Sequence, residues 1–116
     1  MKDWTVIRER YLRDAPPIRL GGLAANLSRI KSFTSQPGNG EAVASMIDES
    51  KHFIEWTATA FDMNVAAELV ELQVQLARWQ RNWPTVWADP ELRSVVANQS
   101  ANWSKRLLEM SGLLKG

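Results

Sequence analysis

Between Val65 and Trp83, large apolar residues stand at Val65, Leu69, Leu72, Leu76, Trp79 and Trp83, in alternating steps of four and three. Residues at that spacing stack on one face of an α-helix, because 3.6 residues complete a turn. A helix with one apolar stripe needs other helices to cover it, and the chain supplies several. No run alternates apolar and polar residues with the period of a strand. The expected fold is all-α, an antiparallel four-helix bundle with an additional short N-terminal helix, forming a single domain over 1–116.

The helices are expected at roughly 3–13, 17–34, 41–60, 65–83 and 90–111. Trp4, Ile7 and Tyr11 mark the first, which Pro16-Pro17 must end. Proline is welcome in a first turn, so a second helix can begin there, with Leu20, Leu23, Leu27 and Ile30 as its stripe. Gly21-Gly22 and Ala24-Ala25 lie inside it, where small residues let a neighbouring backbone come close. Ser35 to Gly40 is the clearest loop. Val43, Met46, Ile47, Ser50, Phe53, Ile54 and Phe61 line the third helix, and Asp62 or Asn64 caps the fourth. Pro84 is expected to terminate that fourth helix. Asp89-Pro90-Glu91 is a helix start, and Gly112 a C-cap.

With 116 residues, 45% hydrophobic and 23% charged, the chain is of ordinary globular composition and long enough to bury a core. It has no cysteine, which removes disulfides, thiolate metal sites and a cysteine nucleophile. With one histidine there is no set of neighbours for Ser–His–Asp chemistry and no histidine-rich metal cage. Neither Gly21-Gly22 nor Gly38-Asn39-Gly40 has the Lys-Ser/Thr ending of a phosphate loop. No catalytic residue, metal ligand or cofactor site is therefore expected. No stretch from Met1 onward has signal-peptide or membrane-span character, so a cytoplasmic protein without membrane insertion is expected. Charge is segregated: residues 1–34 carry seven basic against three acidic residues, 35–71 one against seven, and 72–116 six against three. The basic first third is too dilute to bind nucleic acid.

Placing residues about 100° apart around each helix leaves second faces that the main core does not use. Trp56 and His52 fall opposite the stripe of the third helix. Val70 and Val74, with Ala66 and Ala77, face away from the leucines of the fourth. On the last, Ala97, Ala101, Ser104 and Leu108 lie beside the core stripe of Leu92, Val96, Trp103, Leu107 and Met110. The N-terminal helix can cover one such face and self-association another. The expected partner is a second copy of the chain, as a homodimer, or an unidentified protein. Trp56, His52, Val70, Val74, Ala101 and Leu108 are the candidate interaction surface.

Three constellations could bind a ligand, and each has a structural alternative. Trp79, Trp83 and Trp87 recur every four residues among Arg78, Arg81 and Asn82, a wall on which a flat ligand could stack. They also continue the leucine stripe and can close the bundle end. Glu49 and His52 stand at i and i+3, half of a di-iron motif whose other half is missing, and a surface histidine near carboxylates accounts for them. Gln99, Arg106 and Asn102 lie toward the core of the last helix and can meet Glu68, Glu71 or Gln75 across the bundle. Such a network can line a polar pocket or set helix register.

The segments from Pro17 to Leu27, Glu71 to Trp79 and Trp103 to Met110 together resemble a family of small helical proteins of unknown function from cyanobacteria. The resemblance spans most of the chain and implies a cytoplasmic accessory role. It brings no catalytic residue. The function expected from the whole reading is a non-enzymatic interaction module that self-associates. The alternative is a small-ligand binder using the Trp79/Trp83/Trp87 region or a Gln99/Arg106 pocket.

Overall fold

A computed structural model describes residues 2–113, and among them the chain forms six α-helices, two 3-10 turns and no strand. Helix α1 (Trp4–Leu12) begins where the Asp3 carboxylate accepts hydrogen bonds from the amides of Thr5 and Val6. That contact satisfies two of the donors a helix start leaves orphaned. Helix α2 (Pro16–Phe33) starts on two prolines, whose missing amides cost nothing in a first turn. A 3-10 turn at Pro37–Asn39 occupies the expected loop and leads into α3 (Gly40–Thr57). A second, at Ala58–Ala60, leads to α4 (Met63–Arg81), where Asp62 caps by accepting from the Val65 amide at 2.9 Å. Helices α5 (Trp83–Ala88) and α6 (Pro90–Ser111) follow, α6 capped by Asp89.

Two helix ends differ from the expected ones: the third helix stops at Thr57, where a 3-10 turn over Ala58–Ala60 replaces its last residues, and the fourth also stops early. The fourth helix stops at Arg81, and Trp83-Pro84 open a separate short helix rather than closing the long one. Asn82, at φ −112° and ψ 24°, makes the break. Pro84 then sits in the first turn of α5, the same use of proline that starts α2 and α6. The far end of α6 is as the sequence indicates: Gly112 takes φ 75°, the left-handed conformation that glycine enters without a Cβ clash.

The core is built from the expected stripes. Leu20, Leu23, Leu27 and Ile30 of α2, Val43, Ile47 and Ile54 of α3, Leu69, Leu72 and Leu76 of α4, and Val96 and Leu107 of α6 are fully buried. Each such side chain removed from water contributes about 1.5–3 kcal/mol. Trp79 continues the α4 stripe into the core, which is the structural role foreseen for it.

Packing corrects the assignment of faces on α6. Ser100 and Ser104 are buried, and the Ser104 hydroxyl donates to the Ala24 carbonyl oxygen of α2 at 2.7 Å. Ala97, Ala101 and Leu108, beside them, are only partly exposed. The strip expected to be a spare face thus lies at the contact with α2, while Leu92, expected in the core, is exposed. Small residues on both helices let the backbones approach until a serine hydroxyl reaches the opposite main chain. The Gly21-Gly22 pair has other neighbours: a Cβ at Gly21 would stand 2.9 Å from Leu113 Cδ1, and one at Gly22 3.6 Å from Tyr11 Cε1.

Helix α1 lies on α3. Trp4 stacks on His52 with ring centroids 3.8 Å apart, and Tyr11 stacks on Phe53 at 4.0 Å. Trp56 sits among Trp4, Tyr11, His52 and Phe53. The Tyr11 hydroxyl donates to the Arg19 carbonyl oxygen at 2.7 Å, tying α1 to α2. Burial holds this phenol well above its ordinary value, with the nearby Arg19 charge opposing the shift.

Candidate functional site

Helices α4 and α6 meet through long side chains rather than backbones. The Trp103 indole N–H donates to Gln75 Oε1 at 2.8 Å, and Arg106 binds Glu68 through two parallel hydrogen bonds of 2.8 and 2.7 Å. A fork-to-fork pair of this kind fixes geometry as well as charge. Its donation holds the Glu68 carboxyl below the usual carboxylate range and raises the already high value of Arg106. Arg106 and Asn102, expected toward the core, are exposed, and of Glu68, Glu71 and Gln75 it is Glu68 that Arg106 meets. The indole–Gln75 bond was not foreseen, although Gln75 stands at the edge of the leucine stripe, where a polar side chain can reach a neighbouring helix.

A helix pair held apart by such struts leaves a groove. Val70, Glu71, Val74 and Arg78 form its α4 wall, and Gln99 and Trp103 its α6 side, around a volume of about 490 Å³. It runs on past Gln99 and Trp103 into a smaller space of about 230 Å³ beside Asn102 and Arg106. Val70 and Val74 are 52% and 45% exposed, large values for valines in mid-helix. Gln99 makes no side-chain hydrogen bond among the described residues. The structure therefore joins two sets that the sequence kept apart, the Val70/Val74 face and the Gln99/Arg106 pair.

The tryptophans are elsewhere. Trp79 is buried, while the Trp83 indole donates to the Gly40 carbonyl oxygen at 3.0 Å and Trp87 to that of Pro37 at 2.8 Å. Trp87 packs so closely on Gly40 that a Cβ there would stand 2.8 Å from its Nε1. Both polar handles of this aromatic pair are used to close the bundle end over the α2–α3 connection. A small apolar recess of about 320 Å³ remains beside them. Trp79, Trp83 and Trp87 do not form one pocket with Gln99 and Arg106.

His52 and Trp56 are not a free outer face, because α1 covers them and leaves each half-buried. His52 Nδ1 lies 2.8 Å from the Asp48 carbonyl oxygen, so the ring is held within its own helix and against Trp4. Glu49 does not pair with it. That carboxylate accepts from Asn26 Nδ2 at 3.1 Å and from Lys2 Nζ at 3.5 Å, and Arg29 donates to Asn26 Oδ1. Among the described residues, no three histidine or acidic groups converge as a metal would need. No helix among them is long and apolar enough to cross a membrane.

Comparison with family models, curated proteins and solved structures returns no match to this chain.

Proposed function

We propose that this chain is a non-enzymatic protein-interaction module that associates with a second copy of itself. Its frame is an antiparallel four-helix bundle of α2, α3, α4 and α6, with α1 as an added N-terminal helix. Support for the frame comes from the order of paired residues. Ser104 meets Ala24 while Ala97 lies beside Lys31, and Gln73 meets Lys51 while Gln80 meets Asp48. Glu68 likewise meets Arg106 while Gln75 meets Trp103. In each pair the numbers rise along one helix as they fall along the other.

The observation that carries the function is the exposed Val70 and Val74 pair on the wall of a groove. Apolar side chains grouped beside a concavity and rimmed by charges are the usual mark of a protein contact. The mass in solution across a dilution series, measured by light scattering, tests this reading. Twice 13.1 kDa at high concentration, falling on dilution, is the expected result. A mass of 13.1 kDa throughout overturns it.

A second reading rests on Gln99, whose amide lines both parts of the groove without a hydrogen bond among the described residues. A small polar ligand could use that amide while stacking on Trp103. A thermal-shift screen tests it. The reading fails where no compound raises the melting point of the native chain more than that of Gln99→Ala.

A further inference from the structure

The outer face of α4 carries Ala67, Val70, Val74, Ala77 and Arg81 at steps of three, four, three and four. That is the seam spacing of a helix that pairs with another helix. Of these, Ala67, Val70, Val74 and Arg81 are exposed, so no element among the described residues covers the seam. Beside it, on the same flank and two turns apart, stand Glu71 and Arg78. Both are exposed, and neither makes an ion pair among the described residues, whereas the neighbouring Glu68 is already taken by Arg106.

We infer that the seam of α4 is the dimer contact, with the α4 helices of two copies crossing antiparallel about a two-fold axis near Val74. This rests on the self-association proposed above and names its surface and register. A two-fold contact must be self-complementary, since each copy presents the same patch. The flank of α4 meets that condition, being acidic at Glu71 and basic at Arg78, seven residues further on. When two such helices run in opposite directions about a point midway between these residues, each Glu71 faces the partner's Arg78. Val74 then packs on its own copy at the axis and Val70 on the partner's Ala77, and the second helix lies over the groove beside Gln99 and Trp103. Run parallel, the same flanks would have no such match. The surface charges contribute little to affinity but select the orientation, which is the part of the contact that apolar side chains leave undetermined.

The test separates the surface from the reading beneath it. Native chain, Val74→Asp, Glu71→Arg, Arg78→Glu and an equimolar mixture of the last two are compared by light scattering and sedimentation, with circular dichroism to confirm folding. Val74 is exposed, so Val74→Asp should keep the helical spectrum while yielding a monomer. Glu71→Arg and Arg78→Glu each bring like charges together twice per dimer and should weaken self-association roughly tenfold. Their mixture restores both opposite-charge pairs in the heterodimer and should recover native affinity. A monomeric native chain overturns self-association itself. A dimer that survives Val74→Asp overturns only the surface. Loss of the dimer in Val74→Asp with no rescue in the charge-reversed mixture overturns the antiparallel register.

Discussion

Single residues in this chain do what their immediate neighbours allow, and two of them yield measurable consequences. Gly22 sits in the interior of α2, where glycine costs about 1 kcal/mol relative to alanine. A Cβ there would meet Tyr11 Cε1 at 3.6 Å, an ordinary contact. Gly22→Ala should therefore raise stability by about 0.5–1 kcal/mol in a denaturant titration. A loss of stability would show that α1 approaches more closely than this contact indicates. Tyr11 carries the second consequence. Its burial holds the phenol above its ordinary value of 10, so the folded state keeps the proton that the unfolded state releases. The stability this brings is complete below that value and is lost as the pH rises above it. Melting temperatures of the native chain should fall more steeply there than those of Tyr11→Phe. The variant should itself cost about 1 kcal/mol at neutral pH, for the lost bond to Arg19. Parallel alkaline limbs would place the sensitivity elsewhere.

Among the elements, α1 stands apart because it rests chiefly on α3. Its attachment is aromatic: Trp4 on His52, and Tyr11 on Phe53. Trp4→Ala removes one of these stacks at the exposed end of the helix. It should loosen α1 without unfolding the rest, seen as faster amide exchange confined to residues 4–12 and a lowered melting point. Global loss of protection would make α1 an integral part of the core. The α4–α6 pair behaves differently, since its struts are polar. Glu68 is held below its ordinary range by Arg106, so what it adds to stability is present at neutral pH and lost as the pH falls through the carboxylate range. Because the pair lies near the surface, that loss is small. It should open the groove before it unfolds the chain. A fluorescence change of Trp103, isolated by Trp103→Phe as the control, should precede the loss of helical circular dichroism on acidification. Coincident transitions would tie the groove to global folding.

At the scale of the molecule, the interior follows directly from periodicity. The stripes of α2, α3 and α4 are buried in the places their spacing indicates, because large apolar groups leave water whichever helix receives them. Leu76→Ala, at a fully buried site, should accordingly cost about 2–5 kcal/mol by chemical denaturation. An unchanged midpoint would contradict the burial of the α4 stripe. What periodicity does not carry is the choice among second faces. The Ala101/Ser104 strip of α6, the Trp56/His52 face of α3 and the Val70/Val74 face of α4 look alike as patterns of apolar or small residues. Only the three-dimensional arrangement shows that α2 lies against the first, α1 covers the second, and no described element covers the third. The helix break at Asn82 belongs to the same class, for a proline near a helix end is compatible with stopping one helix or starting another. The chain by itself thus determined the all-α class, the helix start at Asp89, the C-cap at Gly112 and most of the core, and it narrowed the cap of the fourth helix to Asp62 or Asn64. These depend on hydrogen bonds and solvation within a few residues of each position. The groove between α4 and α6 and the free seam beside it were decided by tertiary structure alone, because which surface stays open depends on where every other helix has gone.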